Sequence, residues 1–231
     1  MEKRAKQFCL FIAAVLFFPV FSLSAVSFIS IDLARFWNTV ETASGRSLHA
    51  QKEEMVAILA QKDLLNEQQK LEMVNQYFEK WVTYQTDDVV WQETDYWATP
   101  AEMLTKAQGD CEDYAIAKYV FLQELGIPSS QLRMIYVKAK IGGRRSTLTQ
   151  AHMVLGYYAN PTSEPLILDS LISDVLPAGQ RTDLTPVFSF NSEGIWSPGG
   201  AESVGSPTAR LSRWRNLLQK LTAEGIALGQ A

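Results

Sequence analysis

Apolar residues recur at helical spacing through the first third of the chain. This spacing covers residues Ile29 to Thr42 and then Gln51 to Tyr84, and it predicts helices that each bury one stripe. The segment from Thr86 to Ala98 is rich in Asp, Thr and aromatic residues and predicts an ordered loop. A further helix is expected to start at Thr99-Pro100, because proline suits the first turn of a helix. The N-terminal third is therefore predicted to be mostly helical.

The hydrophobic period changes from helix-like to strand-like in the middle of the chain. One helix is predicted to begin at Cys111 and to stop at Leu125-Gly126, with Pro128 following the glycine. Beyond it, apolar and polar residues alternate in three runs separated by turn-rich segments, and this alternation predicts three consecutive antiparallel strands. The runs are "QLRMIYVKAK", "AHMVLGYYA" and "EPLILDSL".

The C-terminal part of the chain predicts a loop and one more helix. Residues Asn191 to Pro207 are rich in Gly, Ser and Pro and indicate a loop. The stretch "TARLSRWRNLLQKL" is amphipathic and places Leu211, Trp214, Leu218 and Leu221 on one side. Helices followed by a run of antiparallel strands are typical of the α+β class, with the N-terminal helices packed on an antiparallel sheet.

The first two dozen residues have the pattern of a secretory signal peptide. Lys3, Arg4 and Lys6 precede an almost wholly apolar run from Phe8 to Phe21, and small residues follow. We predict export with cleavage after Ser24, which leaves residues 25–231 as one domain. An uncleaved N-terminal anchor is the alternative.

Composition is that of one ordinary globular domain with an acidic balance. The chain has 231 residues, of which 47% are hydrophobic and 20% charged, and a formal net charge of −4. Removing residues 1–24 takes away three basic residues and one acidic residue, so the charge becomes −6. Such a balance argues against binding to nucleic acid.

The cysteine count leaves a single thiol in the predicted mature protein. The chain contains two cysteines, and Cys9 lies inside the predicted signal, so only Cys111 remains and no internal disulfide is possible. In an exported protein a lone cysteine pairs with another molecule, is buried and inert, or is reactive.

A reactive Cys111 needs a base and a group that orients the base. Of the two histidines, His49 lies among charged residues and is expected at the surface. His152 opens one predicted strand, and Asp169 ends the next predicted strand. A hairpin through residues 160–164 would bring His152 and Asp169 close together across the strands. A helix N-terminus favours the thiolate form of Cys111. This arrangement favours a papain-type catalytic triad over a packed thiol, a strand histidine and a turn aspartate.

The blocks "GDCEDYAIAKYVFLQELGI", "AHMVLGYY" and "LILDSL" resemble the bacterial transglutaminase-like cysteine proteases. Within that family the chain specifically resembles the LapG-type periplasmic adhesin proteases, from about Phe28 to Leu221. The resemblance implies a papain-like or transglutaminase-like α+β fold with the catalytic cysteine at a helix N-terminus. It assigns catalysis to Cys111, His152 and Asp169.

The resemblance also implies a calcium site at the acidic residues that flank the cysteine, namely Asp110, Glu112 and Asp113. From the residues alone, the same carboxylates make a good helix start, with Asp110 as the N-cap. Calcium takes six to eight oxygen ligands, so three carboxylates would need further ligands that the sequence does not identify.

Family membership further implies a substrate, a regulator and a compartment. The substrate is expected to be a large surface adhesin, cut near its N-terminus at a di-alanine site so that release promotes biofilm dispersal. A LapD-type inner-membrane receptor for cyclic di-GMP is expected to hold the protease in the periplasm. Two alternatives remain open: a transglutaminase or amidase that uses the same triad, and a non-catalytic calcium-dependent binding module.

Overall fold

The computed structural model describes residues 29–142 and 146–228. The predicted signal peptide at residues 1–24 lies outside the described residues. Within the described ranges, no helix combines the length and apolar character needed to cross a membrane.

The helical elements of the N-terminal part follow the predicted order. The described helices are α1 Leu33–Ser44, α2 His49–Leu59, α3 Glu67–Trp81, α4 Asp87–Val90, α5 Pro100–Lys106, α6 Cys111–Glu124, α7 Pro207–Arg210 and α8 Ser212–Ala223. The apolar run from residue 51 to residue 84 is split into α2 and α3, because Asn66 caps α3 by accepting a hydrogen bond from the backbone of Gln69 at 2.9 Å. Thr99 caps α5 at the predicted Thr99-Pro100 entry.

The strands form one large antiparallel sheet and two small pairs. They are β1 Ile29–Ile31, β2 Thr83–Tyr84, β3 Gln108–Gly109, β4 Leu132–Lys140, β5 Thr149–Tyr157, β6 Leu166–Leu168, β7 Leu176–Pro177, β8 Leu184–Phe190, β9 Ile195–Trp196 and β10 Ile226–Leu228. The six-stranded sheet has the order β7-β6-β5-β4-β8-β9. Its three central predicted strands, β4, β5 and β6, pair antiparallel as expected. The predicted loop 191–207 contains β9, which is too short to produce a periodic pattern.

Helix α6 lies at the centre of the molecule, between the sheet and the helices before it. It contacts β4 and β5 on one side and α3 on the other. Every residue from Asp113 to Gln123 is buried, which explains why the helix has no polar face. The helix ends where the sequence predicted, because Gly126 adopts φ of 88°, a left-handed conformation that glycine tolerates best.

Helix α8 covers one end of the core. Trp214 is fully buried, and its ring lies 6.0 Å from Tyr119 of α6 and 5.6 Å from Phe190 of β8. The predicted single C-terminal helix is two pieces, because Leu211 is extended between α7 and α8. Leu217 is buried where the sequence pattern favoured Leu218, which is only half-buried.

Replacing Trp214 with alanine is expected to lower the free energy of unfolding by about 3–5 kcal/mol, because the cavity left behind cannot collapse. Urea unfolding of both proteins measures the difference. Trp81→Ala is the matched control, since Trp81 is half-buried at the end of α3. An equal loss in both variants would contradict the role of Trp214 as the contact between α8 and the sheet.

Candidate active site

The start of α6 is held in place by the short strand before it. Strand β3 pairs parallel with β2, and Asp110 continues in an extended conformation as the N-cap of α6. Gly109 is packed so closely that a Cβ added there would lie 2.9 Å from Oδ2 of Asp113. A side chain at this position would push the acidic turn away from the strand. The glycine before the acidic N-cap is therefore required by the close packing at the first turn of the helix.

Cys111 is the first residue of α6 and is 9% exposed. Its thiol donates a hydrogen bond to Oε2 of Glu112 at 2.9 Å. Burial raises the pKa of the Cys111 thiol, and the negative charges of Glu112 and Asp110 raise it further, while a hydrogen bond from the backbone N–H of Met153 opposes them. Helix α6 also packs on β5, the strand that carries His152.

His152 and Asp169 are in direct contact. Nε2 of His152 lies 2.7 Å from Oδ1 of Asp169, and both side chains are almost fully buried. The register of β5 and β6 pairs Leu155 with Leu168, so Asp169 follows opposite Val154, two positions from His152. The predicted hairpin is therefore present with its centre shifted by one residue, and the side chains meet diagonally.

Asp169 receives hydrogen bonds from three N–H donors. Besides His152, Nη2 of Arg181 donates to Oδ2 at 2.7 Å and the backbone N–H of Leu171 donates to Oδ1 at 3.0 Å. Burial alone would raise the pKa of Asp169, but the hydrogen bond and charge of His152 together with those of Arg181 lower it to about 2. Nζ of Lys118 also donates to the backbone carbonyl of Asp169 at 2.8 Å. The carboxylate is thus fixed in position and ionised.

Sequence reasoning missed Arg181 and Lys118. Arg181 lies twelve residues beyond Asp169 and bonds both Asp169 and Asp183. Lys118 is an interior residue of α6, and burial lowers its pKa to about 8. The one available signal for Lys118 was its position inside an otherwise apolar stretch of the helix. No pattern in a single sequence marks Arg181.

Asp169 is expected to contribute about 2 kcal/mol of stability that disappears in acid. Its pKa in the folded protein is about 2, below the ordinary value of 3.8, so this stability is present above the ordinary value and is lost as the pH falls toward 2. Urea unfolding between about pH 5 and pH 2 should show the stability difference between wild type and Asp169→Asn shrinking with acid. A difference independent of pH would contradict the ionised state of Asp169.

Five carboxylates lie around the start of α6. Ligand atoms of Asp87, Asp110 and Asp113 are within 4.8 Å of one another, and so are those of Asp87, Asp95 and Glu112. Asp87 and Asp95 come from the predicted loop 86–98, where α4 and the following turn place them beside the helix. Sequence reasoning named the three carboxylates next to Cys111 but missed these two, although their segment is conspicuously acidic.

The electrostatics of this cluster fit a cation. Burial is the main cause that raises the pKa of Asp110 to about 9, and the neighbouring carboxylates raise it further. Oδ1 of Asp110 is buried and has no hydrogen-bond partner. Burial raises the pKa of Asp87 to about 6. Among the described residues, only Asp95 of the five forms an ion pair with a basic side chain, Arg213 at 2.9 Å. The donor set is all oxygen apart from the thiol, which suits calcium.

The remaining predicted residues occupy distinct positions in this region. Asp113 is buried and accepts a hydrogen bond from the backbone N–H of Ala98 at 2.7 Å, so it ties the loop to the helix. Oε2 of Glu112 accepts the hydrogen bond from the thiol of Cys111. His49 is exposed at the start of α2, where its ring lies 3.1 Å from Glu53. The side-chain contact of His49 is with Glu53, and not with a residue near Cys111.

Comparison with known proteins identifies the family. The family model of bacterial transglutaminase-like cysteine proteinases matches residues 46–185, which include Cys111, His152 and Asp169. The chain belongs to this family. The transglutaminase-like cysteine protease resembles solved structures of LapG from Legionella pneumophila; one has 36% identity and a TM-score of 0.64 and covers 80% of this chain and 97% of the other.

Two further similar structures are an EGTA-treated and a calcium-bound form of Legionella pneumophila LapG. The EGTA-treated form has 36% identity and a TM-score of 0.67, with 80% of this chain and 97% of that chain covered. The calcium-bound form has 37% identity and a TM-score of 0.67, with 80% and 98% covered. The comparison with curated protein sequences gives no match. The predicted α+β transglutaminase-like fold and the cysteine protease class are confirmed.

Proposed function

We propose that this cysteine protease is a calcium-dependent periplasmic endopeptidase that cuts the N-terminal region of a large surface adhesin at a di-alanine site. Release of the adhesin would promote biofilm dispersal. The observation that carries the proposal is the buried contact of His152 with Asp169. The strand that carries His152, β5, packs against α6, and Cys111 is the first residue of α6. The substrate class comes from the family resemblance, and the likeness to LapG over 80% of the chain supports that resemblance.

In the proposed reaction Cys111 is the nucleophile and His152 is the base. Nε2 of His152 is engaged by Asp169, so Nδ1 is the nitrogen left to take the thiol proton. The sulfur attacks the carbonyl carbon of the scissile bond, and the backbone N–H of Cys111, unpaired within the helix, is placed to donate to the oxyanion. His152 returns the proton to the leaving amine, and water then hydrolyses the thioester.

Calcium binding is assigned to Asp110, Glu112 and Asp113, with Asp87 and Asp95 as additional ligands from the loop. Their mutual proximity and the unpartnered Oδ1 of Asp110 support this assignment. A bound cation would offset the negative charge that disfavours the Cys111 thiolate. The calcium-bound LapG structure supports the same metal.

The proposed compartment and regulator rest on the N-terminus and on family resemblance. The basic and apolar residues 1–24 support export to the periplasm. A LapD-type inner-membrane receptor for cyclic di-GMP would then sequester the protease. Nucleic acid is not an expected partner of this acidic chain.

A transglutaminase or amidase would use the same three side chains, and product masses separate the reactions. We expect the protein, incubated with calcium, a di-alanine adhesin peptide and excess primary amine, to yield two fragments whose masses sum to the peptide plus water. Cross-linked or amine-capped products would support the transferase. No product from wild type or from Cys111→Ala, with calcium binding intact in both, would support the non-catalytic binding module.

A further inference from the structure

A cavity of about 380 Å³ lies on the face of the sheet that α6 does not cover. Met134, Met153 and Leu168 belong to the main core with α6, whereas the alternate residues Ile135 and Val154 belong to a separate cluster. Since successive residues of a strand point to opposite faces, the cavity and α6 are on opposite sides. The volume is in the range of small-molecule sites.

Apolar side chains form the floor and walls of this cavity. Five of those that line it are Ile135, Val137, Val154, Ile167 and Phe188. Such a lining binds the apolar body of a ligand and contributes roughly 25 cal/mol for each Å² removed from water.

Arg133 is a buried cation in this lining that forms no ion pair among the described residues, although the charge of Glu193 acts on it. It is 6% exposed, its guanidinium lies 4.0 Å from the ring centre of Trp196 and 4.8 Å from that of Tyr158, and its Nε has no hydrogen-bond partner. Within the part of the chain that the structure describes, no carboxylate forms an ion pair with it. Buried charges are ordinarily paired, and a planar guanidinium held between rings is suited to a carboxylate.

Arg181 adds a second guanidinium group to the same cavity. It is 4% exposed and its Nη2 bonds Asp169 and Asp183, but its Nη1 is buried without a partner. Because two carboxylates already balance the charge of the Arg181 guanidinium, a neutral acceptor is enough to satisfy Nη1 and no further anion is needed. Of the two guanidinium groups, Arg133 is therefore the one without a carboxylate in ion-pair contact among the described residues.

We propose that this cavity binds a molecule with one carboxylate and an apolar body. The carboxylate pairs with Arg133, and the body lies over Ile135, Val137 and Val154 toward Arg181. A free amphiphilic acid and the C-terminus of a peptide that ends in an apolar residue share this chemistry. The cavity and Cys111 are on opposite faces of the sheet, and Arg181, which lines the cavity, also bonds Asp169. The proposal rests on Arg133 and the apolar lining and not on the proposed protease substrate.

Calorimetric titration of the full-length mature protein with octanoate tests the proposal. We expect saturable binding of octanoate, binding at least tenfold weaker for octanol, which lacks the charge, and none for acetate, which lacks the body. Arg133→Met should weaken octanoate at least tenfold. Arg46→Met is the matched control at an exposed position and should bind as wild type does.

A second variant and a peptide pair make the test independent of one substitution. Ala178→Trp, at the half-buried rim of the cavity, should also abolish octanoate binding if Arg133→Met fails to fold. A leucine-terminated peptide that binds more tightly than octanoate, and loses binding when amidated, would identify a chain terminus as the source of the carboxylate. Equal affinity for octanol and octanoate, or no binding of either octanoate or the free peptide, would overturn the proposal.

Discussion

Replacing Asp169 with asparagine is expected to lower kcat/KM for a di-alanine peptide by about 1,000-fold while the protein stays folded. Three N–H donors converge on the carboxylate, from His152, Arg181 and the backbone of Leu171. An asparagine amide must turn its NH₂ group toward at least one of these donors. Either orientation breaks a buried hydrogen bond, so His152 loses its fixed tautomer or Asp169 loses its anchor to Arg181.

The matched control for this variant is Asp183→Asn. Asp183 also accepts a hydrogen bond from Arg181, at 2.8 Å, but it does not contact His152 and its side chain is 38% exposed. We expect less than a tenfold loss in kcat/KM for Asp183→Asn. Near-wild-type turnover by a folded Asp169→Asn protein would show that Asp169 does not orient the base.

Replacing Asp110 with asparagine is expected to weaken calcium binding on the order of tenfold or more, because calcium affinity follows the number of ligand charges. Asp110 is the carboxylate with a buried and unpartnered oxygen, and it is close to both Asp87 and Asp113. Calcium at a hundred times its dissociation constant should stabilise wild type by about 2.7 kcal/mol. Calorimetry gives the affinity, and thermal unfolding with and without calcium gives the stabilisation.

Asp63→Asn is the control for the calcium experiment, since Asp63 is exposed in the turn between α2 and α3. It makes the same chemical change away from the cluster and should leave affinity and stabilisation unchanged. Equal calcium affinity of Asp110→Asn and wild type would return Asp110 to the role of a helix cap.

Much of the fold could be predicted because its signals are local. The Cys111 helix begins and ends at residues that the sequence marks, an acidic N-cap and Gly126, and the alternating runs of β4, β5 and β6 reveal the sheet. Strands β7 and β9 have two residues each, too few for any periodicity. The break between α7 and α8 depends on Leu211 being extended, which the amphipathic pattern does not encode.

The site residues that the sequence did not reveal are those that reach the site through contacts between distant parts of the chain. The motif around Cys111 and the hairpin of β5 and β6 are local units that hold the named residues, and the packing of α6 on β5 connects the two units. Arg181, Asp87 and Asp95 join them only because a turn and a loop fold back on the sheet and on α6. No spacing rule connects such residues to a site, so their roles follow from the three-dimensional arrangement.

The most direct test of the proposed function is cleavage of an adhesin N-terminal fragment that carries a di-alanine site. Protein of residues 25–231 would be assayed with calcium, with chelator, and as Cys111→Ala with calcium. We predict two fragments cut at the di-alanine site with calcium and an intact substrate in the other two conditions. Cleavage by Cys111→Ala, or cleavage that persists in chelator, would contradict the account of a calcium-dependent cysteine protease.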